Sequence, residues 1–264
     1  LGASGAVMAQ SSVTLYGVAD AGFGKIERGS TLSTLPADPV LAAVAREAWD
    51  NSDATNKTQF ISGSLMNNGN SRIGVRGVED LGGGLKAGFN FESGLDLDTG
   101  YNARSGDGFW ARAANVWLGG NWGTVKLGRS LNPSFYGAAT WELTGMANYS
   151  VIGNTYGFPG GGPRNNSQFS YKTPDFGGFN AEVAYVTKAD NGDKAKWDLN
   201  LIYANGPIGA ALSANKTQDG KTSYALGGKY NFGNFTLAAA YLSARPTAAV
   251  TRNGFSLGGT AVFG

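Results

Sequence analysis

The chain has 264 residues and a formal net charge of +2, too small a positive balance to indicate a nucleic-acid-binding protein. It contains no Cys and no His, which removes disulfides, the commonest metal ligands and the commonest general base, so we expect no enzyme activity and no cofactor. No stretch approaches the roughly 18 uncharged apolar residues that a helical membrane span requires.

The first ten residues are mostly small or apolar and carry no charge. Val7-Met8-Ala9 fits the small-x-small pattern that precedes a signal-peptidase cleavage site. We therefore interpret residues 1–9 as the remnant of a secretory signal and residues 10–264 as one domain, cut short at its C-terminus. A flexible N-terminal tail is the alternative interpretation of residues 1–9.

From Ser12 onward, apolar and polar residues alternate in short runs such as Phe179-Asn180-Ala181-Glu182-Val183. A period of two indicates strands with one apolar and one polar face. The pattern predicts about twelve strands. They begin near Ser12, Asn70, Leu85, Phe109, Thr124, Arg164, Phe179, Lys196, Ile208, Thr222, Phe235 and Gly254.

The connections between these strands alternate between two kinds. Tight, Gly-containing turns span residues 79–83, 119–123, 173–178, 205–207 and 231–234. Longer polar connections span residues 26–68, 94–107, 130–163, 187–194, 216–221 and 243–253. This sorting is typical of an outer-membrane barrel, with short periplasmic turns and long outer loops. Within the first long connection, Asp38 and Pro39 predict the start of a helix.

The fold class predicted is therefore all-β, a transmembrane antiparallel barrel. In lipid every backbone polar group needs an internal partner, which strands achieve by closing without edges. The apolar face would meet lipid and the polar face a water-filled lumen. Polar residues on the lumen side would include Asp20, Lys86, Glu92, Glu182, Asp198 and Lys229.

The connection at residues 130–163 is the third of the long loops, and it is too aromatic for a free linker. It holds Tyr136 and Trp141, one acidic residue, Glu142, and no Lys or Arg before Arg164. A loop of this length is usually functional or disordered. We expect it to fold into the lumen and narrow the pore.

Basic residues are expected on the wall that faces this loop. The alternation along each strand predicts that five basic residues point toward the lumen: Arg72, Arg76, Lys86, Lys126 and Arg164. Arg129 falls on the outward parity at a strand end, where a β-bulge could turn it inward. A wall of fixed positive charge in a confined pore selects anions. Each arginine could instead be an ordinary solvated or ion-paired surface residue.

Several segments resemble the general porins of β-proteobacteria and their neisserial relatives. Residues 11–20, SSVTLYGVAD, resemble the first strand of that family. Residues 71–87, SRIGVRGVEDLGGGLKA, resemble its second strand, turn and third strand and are the most specific block. Leu127-Gly128-Arg129 and residues 164–167, RNNS, resemble the end of the fifth strand and the start of the sixth.

The resemblance covers nearly the whole chain. It implies a passive diffusion channel for small hydrophilic solutes and ions, in contact with outer-membrane lipid and assembled as a homotrimer. It also implies a barrel of about 16 strands, with the third loop inside. The family's arginine cluster maps to Arg72, Arg129 and Arg164, opposite acidic groups of the third loop.

Two departures from the family pattern matter. The third loop offers only Glu142 as an acid, which favours anions. About twelve strands are found where about 16 are expected, and the chain stops at Val262-Phe263-Gly264 where the family ends on Phe. These features predict a fragment, and a genuine barrel of about twelve strands is the alternative.

Other functions compete with the channel. A secreted or surface β-rich adhesin without channel activity is the main alternative, and it would predict apolar residues on both sides of some strands. A substrate-specific channel would need an aromatic track along the pore wall. Asp96-Leu97-Asp98-Thr99-Gly100 hints at a calcium loop, but its Gly stands one position early, which favours an ordinary polar loop.

Overall fold

The structure is a computed structural model, and it describes residues 12–25, 58–64, 67–102, 108–156, 158, 162–245 and 251–263. The signal remnant predicted at residues 1–9 and the helix predicted to begin near Asp38 lie outside these residues. No helix in the described ranges is long and apolar enough to cross a membrane.

Strands dominate the described residues. They are β1 (Ser12–Val18), β2 (Ala21–Lys25), β3 (Thr58–Ser62), β4 (Arg72–Gly82), β5 (Leu85–Gly94), β6 (Ala113–Gly120), β7 (Gly123–Leu131), β8 (Arg164–Lys172), β9 (Phe179–Val186), β10 (Lys196–Asn205), β11 (Ile208–Thr217), β12 (Ser223–Asn231), β13 (Phe235–Ala244) and β14 (Arg252–Ala261). Two short helices, α1 (Pro133–Trp141) and α2 (Val151–Thr155), lie between β7 and β8.

One antiparallel sheet of twelve strands organises the chain, in the order β1-β4-β5-β6-β7-β8-β9-β10-β11-β12-β13-β14. Its members are the twelve strands that the alternation predicted, each beginning within a few residues of the predicted position. Within the described residues β1 and β14 form the two edges and do not pair with each other, so the sheet is open there. The separate β2–β3 pair was not predicted: β3 lies inside the stretch expected to be a long loop.

The tight turns set the strand register. In the β4–β5 hairpin, Gly82, Gly83 and Gly84 have φ values of +82°, +60° and +82°, a conformation that glycine adopts without steric cost. This turn places Arg72 opposite Gly94 and Gly74 opposite Glu92. Arg72 and Glu92 therefore share one face of the hairpin, two residues apart.

The two faces of the sheet reverse the usual distribution of polarity. We call the face that contacts α1 the inner face and the opposite one the outer face. On the outer face Leu15 is 69% exposed and Leu226 is 58% exposed, whereas on the inner face Gln168 is 1% and Asn200 3% exposed. A soluble sheet buries its apolar face instead, so this polarity fits lipid outside and polar groups inside.

The apolar core lies between the third long loop and the inner face of β10–β13. Loop residues Ala138, Trp141, Ile152, Tyr156 and Phe158 pack there against small or aliphatic wall residues. Those wall residues are Ile202, Ala211, Ala225, Ala240, Leu242 and Ala244. The expectation that the loop folds against the inner wall is thereby met, and α1 and α2 are structure within it that periodicity did not predict.

Candidate functional site

Helix α1 begins where its sequence can cap it. The Asn132 side chain accepts from the Phe135 N–H at 3.1 Å, and Pro133 occupies the first helical position, where no N–H is needed. The helix ends at Trp141, and the Glu142 N–H donates to the Ala138 carbonyl. Helix α1 therefore forms locally, while its place in the fold depends on the wall.

Polar side chains of β10 and β11 attach the start of α1 to the inner face. The buried Asp198 accepts from the Ser134 N–H at 2.6 Å and from the Ser134 hydroxyl at 2.7 Å. The Asn200 amide donates to the Pro133 carbonyl at 2.7 Å, and the Asn215 amide donates to the Ser134 hydroxyl at 3.2 Å. These hydrogen bonds fix the helix across the wall, because each satisfies a buried polar group.

Glycines on both the wall and the helix allow α1 to lie close to the wall. A Cβ added at Gly227 would stand 2.3 Å from the Trp141 indole, and one added at Gly137 would stand 2.0 Å from the Ser213 hydroxyl. Trp141 is 1% exposed, so it acts as the packing anchor of the loop. Tyr136, five residues earlier, remains 37% exposed.

The carboxylate of Glu142 is engaged inside the loop. It accepts from the N–H groups of Thr144 and Met146, both at 2.8 Å, and from the hydroxyls of Thr144 at 2.7 Å and Ser150 at 3.0 Å. Glu142 is also buried. Its contacts therefore organise the connection between α1 and α2, and Glu142 is not among the residues that line the cavity described next.

Two arginines contact one carboxylate on the inner side of the sheet, and a third arginine is hydrogen-bonded to one of them. The Arg112 Nε lies 2.6 Å from one oxygen of Glu92, and the Arg72 Nε lies 3.6 Å from the other. The Arg164 Nε donates to the Arg112 carbonyl at 2.9 Å, and within the described ranges Arg164 has no carboxylate partner. We call Arg72, Arg112, Arg164 and Glu92 the arginine cluster.

The arginine cluster lines a cavity of ≈ 760 Å³ between the wall and the third long loop. The loop contributes apolar and amide groups to the opposite side, among them Phe135, Asn148 and Asn154. Three guanidinium groups against one carboxylate leave the lining with an excess of two positive charges. The fixed charge on this part of the lining is therefore predominantly positive.

Other predicted basic residues lie elsewhere on the inner face. The Lys126 Nζ lies 3.4 Å from Glu182 and 5.7 Å from the centre of the Tyr136 ring. The Arg76 guanidinium lies 5.4 Å from the centre of the Tyr16 ring. Lys86 is exposed near the β4–β5 turn, opposite Asp80 in the register.

Arg129 adjoins the arginine cluster without lining its cavity. The register of β7 and β8 shifts between Gly128 and Ser130, which is the break in the alternation that was expected at Arg129. The Arg129 side chain nevertheless donates to the Ala111 carbonyl and to the Asn166 side chain, and it does not line the cavity. The arginines that line the cavity are Arg72 and Arg164, together with Arg112.

Arg112 and the role of Glu92 were missed by reasoning from the sequence. Arg112 immediately precedes β6 and has the wrong parity for the inner face, so strand alternation could not find it. Glu92 has the inner parity, and the register of the β4–β5 turn was enough to place it beside Arg72. The register of that hairpin is the sequence signal that could have found the pair.

Comparisons with known proteins agree with this architecture. A family described as Gram-negative porin matches residues 1–264. Outer membrane porin protein 32 of Delftia acidovorans is 36% identical over 88% of this chain and 64% of its own length. An outer membrane porin protein of Bordetella pertussis is 30% identical over 91% of this chain and 66% of its own length.

Among solved structures, an anion-selective porin from Comamonas acidovorans matches with a TM-score of 0.71 and 29% identity, over 96% of this chain and 74% of that one. A loop-deletion variant of OmpT from Vibrio cholerae matches with a TM-score of 0.63 at 16% identity, which shows a likeness of fold alone. This chain spans slightly less than two thirds of the two curated relatives.

Proposed function

The chain belongs to the Gram-negative porin family, and from this premise we propose that it forms a passive diffusion channel for small hydrophilic solutes and ions across the outer membrane, with a preference for anions. The activity is transport and not catalysis. The supporting observation is the ≈ 760 Å³ cavity, lined by three arginines and a single carboxylate. The related porin of Comamonas acidovorans is described as anion-selective.

The arginine cluster acts in this proposal as the constriction, together with the third long loop. Arg72 and Arg164 are the predicted members, and Arg112 joins them. Arg76, Lys86 and Lys126 extend the positive wall beyond the constriction. Tyr136 faces the lumen beside Lys126, whereas Trp141 and Glu142 hold the loop in shape. Arg129 adds a positive charge beside the constriction, since its side chain donates to the carbonyl of Ala111, the residue before Arg112.

The outer face supports contact with lipid. Its exposed residues are predominantly Val, Leu, Phe and Tyr, such as Val183, Leu199 and Leu212. Burying such a surface in hydrocarbon removes the cost of exposing it to water. A surface adhesin, the alternative considered above, finds no support in the family match. A homotrimer remains a proposal that rests on the resemblance to general porins, and cross-linking of the membrane-extracted protein tests it.

Reversal potentials measured in a planar bilayer under a tenfold salt gradient test the channel and its selectivity. We expect stepwise ohmic conductance and a potential that favours chloride. The electrostatic interaction energy between one unit charge and a permeating ion about 10 Å away in water is about 0.4 kcal/mol. Arg164→Gln should therefore lower the ratio of anion to cation permeability about fourfold, because it removes an attraction for the anion and a repulsion of the same size for the cation.

Lys216→Gln is the matched control. It removes the same charge from an exposed residue on the outer parity of β11, opposite Trp197 in the register. We expect its reversal potential to equal that of the wild type. Absence of conductance from correctly folded protein contradicts the channel. A cation-favouring potential, or equal shifts in both variants, contradicts the assignment of the arginine cluster.

A further inference from the structure

We propose that the inner wall carries a binding station for small aromatic carboxylates, formed by Arg76 and Trp117 on the turn side of the arginine cluster. This inference deepens the proposed channel function and rests on it. It names a class of preferred solute: a planar ring that carries one carboxylate group. We call the two residues and their surroundings the Arg76–Trp117 station.

The station is a concave part of the wall. A second cavity of ≈ 460 Å³ is lined by Ser12 and Thr14 of β1, Arg76 of β4, Asn90 of β5 and Trp117 of β6, among others. The Trp117 indole packs against Gly88, where an added Cβ would stand 2.5 Å from the ring. The glycine thus provides the space in which a large ring can line the lumen.

The charge of Arg76 is not neutralised by a neighbouring carboxylate. Arg72 and Arg112 share Glu92, and Lys126 pairs with Glu182. Within the described ranges the one recorded partner of Arg76 is the ring of Tyr16, at 5.4 Å. A guanidinium group held over an aromatic ring keeps its N–H donors available for a planar, bidentate carboxylate.

Trp117 supplies the second half of the recognition. Within the described residues its indole N–H donates to no protein group, so that donor is available to a solute. Its ring offers a face for stacking, which favours aromatic partners over aliphatic ones. The hydroxyls of Ser12 and Thr14 add weak, adaptable hydrogen-bonding groups beside it.

These features together favour one class of solute. An inorganic anion would satisfy Arg76 and leave the indole unused, and a neutral sugar would leave the guanidinium charge unmatched. An aromatic carboxylate uses both. Arg76 stands four residues along β4 from Arg72, about 13 Å in an extended strand, so a solute can move from the constriction to the station in one short step.

The test measures binding of benzoate, acetate and benzyl alcohol to the folded full chain. Saturation-transfer NMR in detergent micelles reports binding without requiring conduction, and concentration-dependent reduction of single-channel conductance reports it in the open pore. Arg76→Gln removes the charge. Trp117→Leu keeps an apolar side chain and removes the ring face, and Trp117→Phe keeps a smaller ring in case the leucine variant fails to fold.

We expect benzoate to bind more tightly than acetate or benzyl alcohol. Trp117→Leu should weaken benzoate binding about fivefold to tenfold and leave acetate unchanged, while Trp117→Phe keeps most of the preference for benzoate. Arg76→Gln should weaken benzoate and acetate alike by at least about tenfold. The chloride reversal potential of Trp117→Leu should match that of the wild type.

Equal benzoate affinity in the wild type and both Trp117 variants, in a pore that conducts anions, overturns the station and leaves the channel intact. Equal affinity for benzoate and acetate in the wild type also overturns the station and leaves the channel intact. Folded protein that does not conduct overturns the proposed function, whatever it binds.

Discussion

The attachment of α1 to the wall offers the most direct test of how the lumen is narrowed. Asp198→Ala removes the acceptor of both the Ser134 N–H and the Ser134 hydroxyl, which lie 2.6 and 2.7 Å from the carboxyl oxygens. Both residues are buried, and Ser134 stands in the first turn of α1. The substitution therefore acts on the point where the third long loop joins the inner face of β10.

The expected loss follows from the contacts. A buried donor left without a partner costs about 1–3 kcal/mol, and the second hydrogen bond contributes about 1 kcal/mol. The sum is about 2–4 kcal/mol of local stability for α1. Because about 1.4 kcal/mol corresponds to a tenfold change in an equilibrium constant, local opening of α1 should become about 30- to 700-fold more frequent.

Amide hydrogen exchange of α1 measures this opening directly. We expect the amides of α1 to exchange faster by that factor in Asp198→Ala, and single-channel recordings to show added current noise. Asp175→Ala is the matched control, because Asp175 also accepts from a backbone N–H, that of Gly178 at 2.8 Å, but in an exposed turn remote from α1. Exchange in α1 should not change in the control.

Two results would refute the reasoning. If the amides of α1 exchange at the same rate in Asp198→Ala as in the wild type, the attachment does not hold the helix. If exchange rises throughout the barrel by one common factor, the substitution has weakened the whole fold and the attachment is not a separate local element.

Three further predictions concern packing, acid stability and selectivity. Gly227→Ala places a methyl 2.3 Å from the Trp141 ring and should lower stability by about 1–3 kcal/mol in thermal unfolding, whereas Gly228→Ala meets its nearest neighbour at 3.8 Å and should leave stability almost unchanged. The side chain of Asn67 and the N–H of Gly69 hydrogen-bond to the Asp20 carboxyl at 2.9 and 2.7 Å and lower its pKa. The stabilisation of the fold by these contacts is therefore present above the unfolded-state pKa of about 4 and is lost as the pH falls through the folded-state pKa. Asp20→Asn should remove that acid-dependent loss of stability in a pH series of unfolding experiments, and an unaltered acid dependence would contradict it. Glu92→Gln removes the one carboxylate that lines the cavity and should move the reversal potential further toward that of chloride, and a shift in the opposite direction would contradict the proposed role of the arginine cluster.

The strands were predictable because their signal is local. A period of two decides which face each residue occupies, and this holds whether or not the partners of the strand are known. The inner parity of Arg72, Lys126 and Asp198 and the outer parity of Leu199 follow from that rule alone. The short turns, including the glycines of the β4–β5 hairpin, then set which strands are neighbours.

The helices of the third loop and the β2–β3 pair were not predictable in the same way. Helix α1 is short, and its buried residues, among them Ser134, Gly137 and Trp141, follow no simple amphipathic stripe. Its cap at Asn132 is local, but its position depends on the wall: the space at Gly227 and the acceptor at Asp198. These belong to strands that lie more than fifty residues further along the chain.

The sequence by itself determined a barrel-type sheet, its strand count, the folding of the third long loop against the inner face and the excess of basic residues on one wall. Only the tertiary structure decided which charges meet. Arg112 joins Glu92 from outside any strand, Arg129 turns to Ala111 and Asn166, and Glu142 binds inside its own loop. The physical reason is that parity follows from each residue's neighbours along the chain, whereas contacts depend on bulges, strand ends and loops, where alternation stops.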